Sequence, residues 1–255
     1  MIIVEMKRFI SLSVLAFCFL VLHAQPADLF RQGNEAYRQS DYLQAIEAYT
    51  AVLDAGYENA DLYYNLGNAY YRTEQMGMAV LCYERALRIE PGFAEAKQNL
   101  ALANARTEDK ITPIPEFLLA RWYRALNTLL PPTGWLITLL VLGVLAVVAA
   151  GLIRFSGSYQ WRKTAFVAII VIGVLLLVAI CCTFSSINRY NRHDRAVVTQ
   201  PMVVVKGSPD DAGVDKLVLH EGTTLVVDET LGSWYKVRLA DGNTGWLPDT
   251  EITII

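Results

Sequence analysis

Side chains that commonly carry enzyme chemistry are few in this sequence and do not form a recognisable catalytic pattern. The chain has four cysteines and three histidines, and their spacing fits neither a metal site nor a disulfide framework. His220 and Glu221 are adjacent, but no serine, cysteine or second histidine completes a nucleophilic site with them. We therefore predict no catalytic residue, no metal site and no cofactor, and we expect the cysteines to be small apolar packing residues. The chain is predicted not to be an enzyme.

The composition shows more apolar residues than a soluble domain needs. Apolar residues make up 54% and charged residues 18% of the 255 residues, against about 45–50% and about 25% in soluble domains. This excess excludes an ordinary cytosolic enzyme and a disordered chain. It is concentrated in three runs without a charged side chain, residues 9–22, 134–153 and 164–183, of which the last two are 20 residues long. About 20 helical residues span a hydrocarbon layer of ~30 Å, so these two runs are predicted transmembrane helices.

The first apolar run has the features of a secretory signal peptide. Lys7 and Arg8 precede it and Ala24 follows it, which gives the basic, apolar and small-residue order of such a segment. We predict a signal peptide over residues 1–24, with an uncleaved membrane anchor as the alternative.

The charge distribution bears on both the membrane orientation and the partners. Residues 25–110 and 196–255 each have a net charge of −5, whereas residues 111–195 have +6. Neither terminal domain has the basic face that nucleic acid requires, so no nucleic-acid partner is predicted. The loop 154–163 has three basic and no acidic residues, which favours the cytoplasm, and the signal peptide places both flanking domains on the other side. Arginines also flank the outer ends of the spans, so basic residues alone leave the orientation open.

The segment 25–107 contains an internal repeat. The repeated residues are Gly33 and Gly67, Ala45 and Ala79, Tyr49 and Tyr83, and Leu53 and Leu87. Their constant spacing resembles the tetratricopeptide (TPR) repeat, in which each unit of about 34 residues is a pair of antiparallel helices. The small residues allow the paired helices to approach, the tyrosines fill the space between units, and Pro91 ends the second unit. We predict an α-solenoid of two repeats with a capping helix at 94–107, which is marginal without a further copy or a partner.

The resemblance implies a peptide-binding groove lined by the first helix of each repeat. In this sequence its residues would be Phe30, Asn34, Tyr37, Tyr64, Asn65, Asn68 and Tyr71. An asparagine side chain offers two N–H donors and a carbonyl acceptor, which suits a peptide backbone. The same residues are common scaffold positions of the repeat, so a purely structural role is the alternative. Phe30 stands where a carboxylate-clamping lysine would be expected, so that mode of binding is not predicted.

Residues 115–130 are predicted to form an amphipathic helix at the membrane surface. Its apolar side would carry Leu118, Leu119, Trp122, Leu126 and Leu129. Arginine and threonine side chains occupy the opposite side, as in helices that lie in the membrane interface. Neither predicted span contains an ionisable side chain other than thiols, so a transporter or channel is not predicted.

The last part of the chain changes to short Val-, Leu- and Thr-rich runs separated by Gly, Asp and Pro, which predicts a small β-barrel over residues 196–255. Its motifs resemble a bacterial SH3 (SH3b) domain. They are VVVKGSP at 203–209, LHEGT at 219–223, GSWYKV at 232–237 and DGNTGWL at 241–247. The resemblance implies a ligand surface that includes Trp234 and Trp246, with a structural role for both as the alternative.

The whole chain is thus predicted to be multidomain: an α-solenoid, two transmembrane helices and a C-terminal SH3-like β-barrel. This order of modules resembles the BatE family of Bacteroides aerotolerance (Bat) proteins. The resemblance implies a bacterial inner-membrane protein with both folded domains in the periplasm. It also implies two kinds of partner, membrane proteins with von Willebrand factor A (VWA) domains and a MoxR-type AAA ATPase system. We expect a non-enzymatic adaptor in an aerotolerance or stress complex; the alternative is a module that binds the peptidoglycan cell wall through the SH3b domain.

Overall fold

The computed structural model describes residues 26–115 and 117–255, and the predicted signal peptide lies outside this part of the chain. The helices are α1 (26–38), α2 (Tyr42–Asp54), α3 (Ala60–Arg72), α4 (Met76–Ile89), α5 (Ala94–Arg106), α6 (Leu118–Asn127), α7 (Pro132–Phe155) and α8 (Tyr159–Asn191). The strands are β1 (Arg195–Val198), β2 (Met202–Lys206), β3 (Asp215–His220), β4 (Thr224–Leu231), β5 (Trp234–Arg238), β6 (Thr244–Pro248) and β7 (Ile252–Ile254). We call α1–α5 the helical-repeat domain, α7–α8 the hairpin and β1–β7 the sheet domain.

Local signals set the ends of the repeat helices. The Asp41 carboxylate caps α2, and the side-chain oxygen of Asn59 caps α3. Each accepts a hydrogen bond from the backbone N–H three residues later, at 3.1 and 2.7 Å. The turns after α1 and α3 contain Ser40 and Glu74, which occupy equivalent positions of successive repeats and have φ of 64° and 62°. The same left-handed turn therefore reverses the chain in each repeat.

Close contact between the paired helices depends on the repeated glycines. A Cβ atom on Gly33 would lie 2.5 Å from the Tyr49 ring, and one on Gly67 would lie 2.8 Å from the Tyr83 ring. Both tyrosines are buried. The phenyl rings therefore occupy the space that any larger residue at the glycine positions would need.

The hairpin consists of two helices long and apolar enough to cross a membrane. They pack against each other and are joined by a short loop at 156–158. The two uncharged runs, 134–153 and 164–183, lie within α7 and α8. α8 continues for eight further residues, to Asn191.

The sheet domain is a single antiparallel sheet with strand order β3-β2-β6-β5-β4-β1-β7. Its core consists of Ala196, Val198, Val203, Val205, Leu219, Leu225, Val237, Leu239, Leu247 and Ile252. The sequence predicted a barrel, but this sheet is open, because β3 and β7 are its edges and do not pair. At the β7 edge, the Arg85 guanidinium of α4 donates a hydrogen bond of 2.8 Å to the carbonyl of Ile254. A side chain of a helix therefore meets this edge where a closed barrel would have a strand.

The helical-repeat and sheet domains share part of their hydrophobic core. Val80 and Leu81 of α4 pack in one buried cluster with Val197 of β1 and with Ile255. These segments lie on opposite sides of the hairpin in the sequence. The chain therefore leaves the helical-repeat domain, passes through the hairpin and returns to the same body.

Candidate binding face and the domain interface

A hydrogen-bonded network of amides and phenols runs across α1, α3 and α5. The Asn34 carbonyl accepts hydrogen bonds from the Tyr49 hydroxyl at 2.8 Å and from the Asn65 amide at 3.2 Å. One repeat later, the Asn68 carbonyl accepts from the Tyr83 hydroxyl at 2.8 Å and from the Asn99 amide at 2.7 Å. We call the surface that carries these four asparagines the amide face.

Burial raises the pKa of Tyr49 to about 12 and raises that of Tyr83 as well. A phenol is protonated at physiological pH even when it is exposed, so both hydroxyls are donors, and they fix the side-chain carbonyls of the asparagines that they contact. The network positions its amides much as a pre-assembled site would.

The network leaves hydrogen-bonding groups available on the amide face. Within the described residues, the amide nitrogens of Asn34 and Asn68 have no partner, and neither does the carbonyl oxygen of Asn65. All three side chains are half-buried, and their unpaired atoms themselves are accessible to solvent. An extended peptide needs this combination, donors for its carbonyls and an acceptor for its N–H groups.

Four aromatic residues predicted for the groove lie beside this network and are half-buried: Phe30, Tyr37, Tyr64 and Tyr71. Tyr64 lies 4.9 Å from the ring of Phe93, and its hydroxyl accepts a hydrogen bond of 3.3 Å from Asn99. Phe30 lies 5.8 Å from Tyr49. The structure thus brings the predicted groove residues together.

Sequence reasoning missed Asn99. It lies on α5, which was predicted only as a cap, yet it bonds to Asn68 as Asn65 bonds to Asn34. The signal was present, because Asn99 follows Asn65 by one full repeat. α5 therefore occupies the position that a first helix would have after the second repeat, and it extends the amide face.

The sheet domain packs against α4, away from the amide face. Glu84 of α4 pairs with Arg195 of β1 through two hydrogen bonds, both of 2.9 Å. Glu84 is buried, whereas the Arg195 side chain is half exposed. Among the described residues, the hydrogen bonds between the two domains involve α4 or the linker after α5, and none involves the amide face.

The sheet domain also supplies the N-terminal cap of α4. Gln75 makes no side-chain cap there. Instead, the Glu221 carboxylate accepts a hydrogen bond of 3.2 Å from the backbone N–H of Gly77. A negative charge at this position is favoured by the helix dipole.

The linker after α5 is fastened to the sheet domain by one carboxylate. Asp109 accepts hydrogen bonds from the backbone N–H of His220 at 2.7 Å, from its Nδ1 at 2.9 Å and from the hydroxyl of Thr223 at 2.6 Å. Burial on its own raises the pKa of Asp109, but the hydrogen bonds from Thr223 and His220 outweigh it and hold that pKa below its usual value. The hydrogen bond to Asp109 raises the pKa of His220. His220 and Glu221 therefore serve two separate domain contacts.

A second cluster ties α6 to the hairpin. Asn127 is buried; its amide donates to the Cys182 carbonyl at 2.8 Å, and its side-chain oxygen accepts from Arg189 at 2.7 Å. The indole N–H of Trp135 donates to the Asn127 backbone carbonyl at 3.2 Å. The predicted apolar side of this helix is exposed: Leu118, Leu119, Trp122, Leu126 and Leu129. These residues extend the exposed apolar surface of the hairpin.

Trp234 and Trp246 lie on one face of the sheet. Trp234 pairs with Pro248, and Trp246 pairs with Lys236, so alternation along β5 and β6 puts both indoles on the side away from the core. The Lys236 ammonium lies 5.9 Å from the Trp246 ring centre. Both indoles are half-buried.

The cysteines within the described residues are free thiols. Cys82 is buried in the helical-repeat domain, and burial raises the pKa of its thiol to about 12. A protonated, buried thiol is a packing residue rather than a nucleophile. The described part of the chain also holds no group of three or more potential metal ligands.

Comparison with known proteins identifies the helical repeat. The tetratricopeptide repeat family model matches residues 30–92. A probable UDP-N-acetylglucosamine–peptide N-acetylglucosaminyltransferase, SEC, of Arabidopsis thaliana is 31% identical over 88 residues, which is 34% of this chain. The chain spans 9% of the length of that curated relative.

Proposed function

We propose that this protein is a non-enzymatic, membrane-anchored adaptor that binds partner proteins through the amide face. One observation carries the proposal: the amide face has unpartnered donors and an acceptor, while the sheet domain packs against α4 and leaves this face open. A tetratricopeptide repeat region is itself typical of protein-interaction scaffolds. The bound group is an extended segment of a partner, whose backbone meets the fixed amides of Asn34, Asn65 and Asn68.

The setting we propose is the inner membrane of a bacterium, with both folded domains in the periplasm. The shared core of the two domains supports a common side for both, since the hairpin separates them in the sequence. The signal-peptide pattern and the basic loop 154–163 support the periplasm as that side.

Cysteine labelling in intact cells tests this topology. In a chain without native cysteines, Glu58→Cys and Asn243→Cys should react with a membrane-impermeant maleimide, whereas Ser158→Cys should react only after lysis. All three positions are exposed. Labelling of Ser158→Cys in intact cells, or protection of either domain position, would contradict the proposed orientation.

The proposed complex is of the Bat type, in which VWA-domain membrane proteins and a MoxR-type ATPase are the partners, and the sheet domain is an SH3b domain. The order of modules supports this assignment. A photo-crosslinking residue at Gln98 tests it, because Gln98 is exposed on α5 and follows Tyr64 by one repeat. We expect an adduct with a VWA-domain membrane protein from this position and none from the exposed Glu47 on α2. No adduct, or equal adducts from both positions, would reject the adaptor function.

A second candidate function is binding of the peptidoglycan wall by the sheet domain. It is favoured by the face that Trp234 and Trp246 share. In a sedimentation assay with purified cell wall, the full chain in detergent should pellet and Trp246→Ala should not, whereas Trp122→Ala, on α6, should behave as the parent. Absence of the parent from the pellet would rule this function out.

A further inference from the structure

A row of arginines borders the amide face. Arg38, Arg72 and Arg106 follow one another at intervals of one repeat, each in the last turn of α1, α3 or α5. The helix dipole favours a basic residue at such a position, so placement alone is not evidence of a binding role. The contacts of the side chains are the independent observation.

Tyrosines, rather than carboxylates, hold two of these guanidinium groups. Arg72 donates to the Tyr42 hydroxyl at 2.7 Å, and its guanidinium lies 5.0 Å from the centre of that ring. Arg106 lies 4.5 Å from the centre of the Tyr71 ring. Within the described residues, neither arginine has an ion pair with an acidic side chain.

These two guanidinium groups therefore have no acidic partner within the described residues. The domain is nevertheless acidic as a whole, because residues 25–110 have a net charge of −5. Guanidinium groups fixed on aromatic faces keep their fork of N–H donors free for a carboxylate. Arg38 is the exception, because it pairs with Glu35 on its own helix at 3.1 Å, where both side chains are exposed. Such an exposed pair is weak and exchanges readily for a ligand carboxylate.

The spacing of the helices that carry the arginines bears on the shape of the ligand. α1 and α3 are neighbours through Asn34 and Asn65, and α3 and α5 are neighbours through Asn68 and Asn99. Packed helices lie about 8–10 Å apart. A polyproline II segment rises about 3.1 Å per residue with three residues per turn, so every third side chain points the same way and lies about 9 Å further on. A β-strand repeats its face after about 6.8 Å, which is less than this helix spacing.

We infer that the tyrosine–arginine row selects an acidic partner segment in a polyproline II conformation, with Asp or Glu at every third position. This inference rests on the proposed function, because the backbone of the same segment would lie on the amide face. The carboxylates meet Arg38, Arg72 and Arg106 in turn. The row thus supplies the specificity that the backbone contacts of the amide face lack.

Fluorescence anisotropy on the full chain in detergent tests the inference. The probes are labelled synthetic peptides of equal composition, rich in Pro and Ala, with three Glu residues spaced by three or by two positions. We expect the three-spaced peptide to bind at least about tenfold more tightly, and the double variant R72Q/R106Q to lose about tenfold in affinity, from two exposed charged contacts. The matched control R31Q/K97Q also removes two exposed basic residues, from α1 and α5, and should bind as the parent does.

The outcomes separate the inference from the proposed function. Equal binding of both peptides, or equal losses in R72Q/R106Q and the control, would overturn the inference. The adaptor function would then still stand if Gln98 forms its adduct in cells. Binding of anionic phospholipid vesicles through the same arginines, with no binding of either peptide, would also overturn the inference in favour of a lipid ligand. Circular dichroism melts of each variant establish that a loss of affinity is not a loss of fold.

Discussion

Replacing Asp109 by Ala should release the linker from the sheet domain. The substitution removes the acceptor of three hydrogen bonds, and two of their donors are poorly placed to find water: the backbone N–H of His220 and the hydroxyl of the buried Thr223. A buried donor left unpaired costs about 1–3 kcal/mol. Two such donors give an expected loss of about 2–6 kcal/mol in the free energy that holds the linker closed.

Amide hydrogen exchange of the full chain in nanodiscs measures this loss directly, because the backbone N–H of His220 is itself one of the donors. A loss of about 2–6 kcal/mol corresponds to exchange that is roughly 30- to 26,000-fold faster, at about 1.36 kcal/mol per factor of ten. Asp109→Asn should lie between Asp109→Ala and the parent, since its carbonyl can still accept but its charge is gone.

Glu108 provides the matched control. Its carboxylate lies 3.5 Å from the other ring nitrogen of His220, but its side chain is 72% exposed. Glu108→Gln removes the same charge from the neighbouring position and should leave the exchange rate within about threefold of the parent. If Asp109→Ala also stays within that range, or if Glu108→Gln matches it, the assignment of the linker contact to the Asp109 carboxylate is refuted.

Three further results are expected. Gly67→Ala should lower the free energy of unfolding of the helical-repeat domain by about 1–3 kcal/mol through overpacking. Gly143→Ala on α7, where a Cβ would meet nothing within 4 Å, should leave the melt unchanged, and equal effects of the two substitutions would argue against tight packing at Gly67. The raised pKa of His220 adds stability to the linker contact that is complete below about pH 6.5 and is lost as the pH rises through the folded-state value; a protection factor at this contact, which corrects for the intrinsic rise of amide exchange with pH, should fall across that window, and a constant protection factor would contradict the ion pair. Asn127→Leu should lower the detergent melting temperature of the full chain, because Arg189 loses its acceptor, and an unchanged melting temperature would show that the cluster does not hold α6.

The parts of the fold that follow from local patterns were accessible from the sequence. The period of the repeat located the paired helices, and two uncharged runs located the hairpin. The alternation of residue types around Trp234 and Trp246 predicted strands. The register of β5 and β6 then determined on which face of the sheet the two indoles lie. The amide face was accessible in part: Asn34, Asn65 and Asn68 came from the repeat, and extending the same period would have added Asn99.

The contacts between the domains could not be predicted in this way. Glu84 and Arg195 are 111 residues apart, and each is an ordinary charged residue on its own element. Glu221 is likewise unremarkable in the sequence, because the helix that it caps belongs to another domain. The contact at the open edge of the sheet was equally inaccessible, because Arg85 of α4, which meets β7 there, also belongs to another domain. Charged side chains carry no periodic signal that would identify partners so distant in the chain.

The cap on α4 has a consequence for biosynthesis. Glu221 is made 144 residues after Gly77, which at about 5–20 residues per second is a delay of roughly 7–30 s. During that interval the hairpin is synthesised, and Val80 and its neighbours on α4 stay exposed, because the sheet domain that later buries them is not yet complete. A nascent or prematurely terminated chain is therefore a natural client for chaperones and a natural substrate for quality-control proteases, and the arrival of the sheet domain ends that exposure.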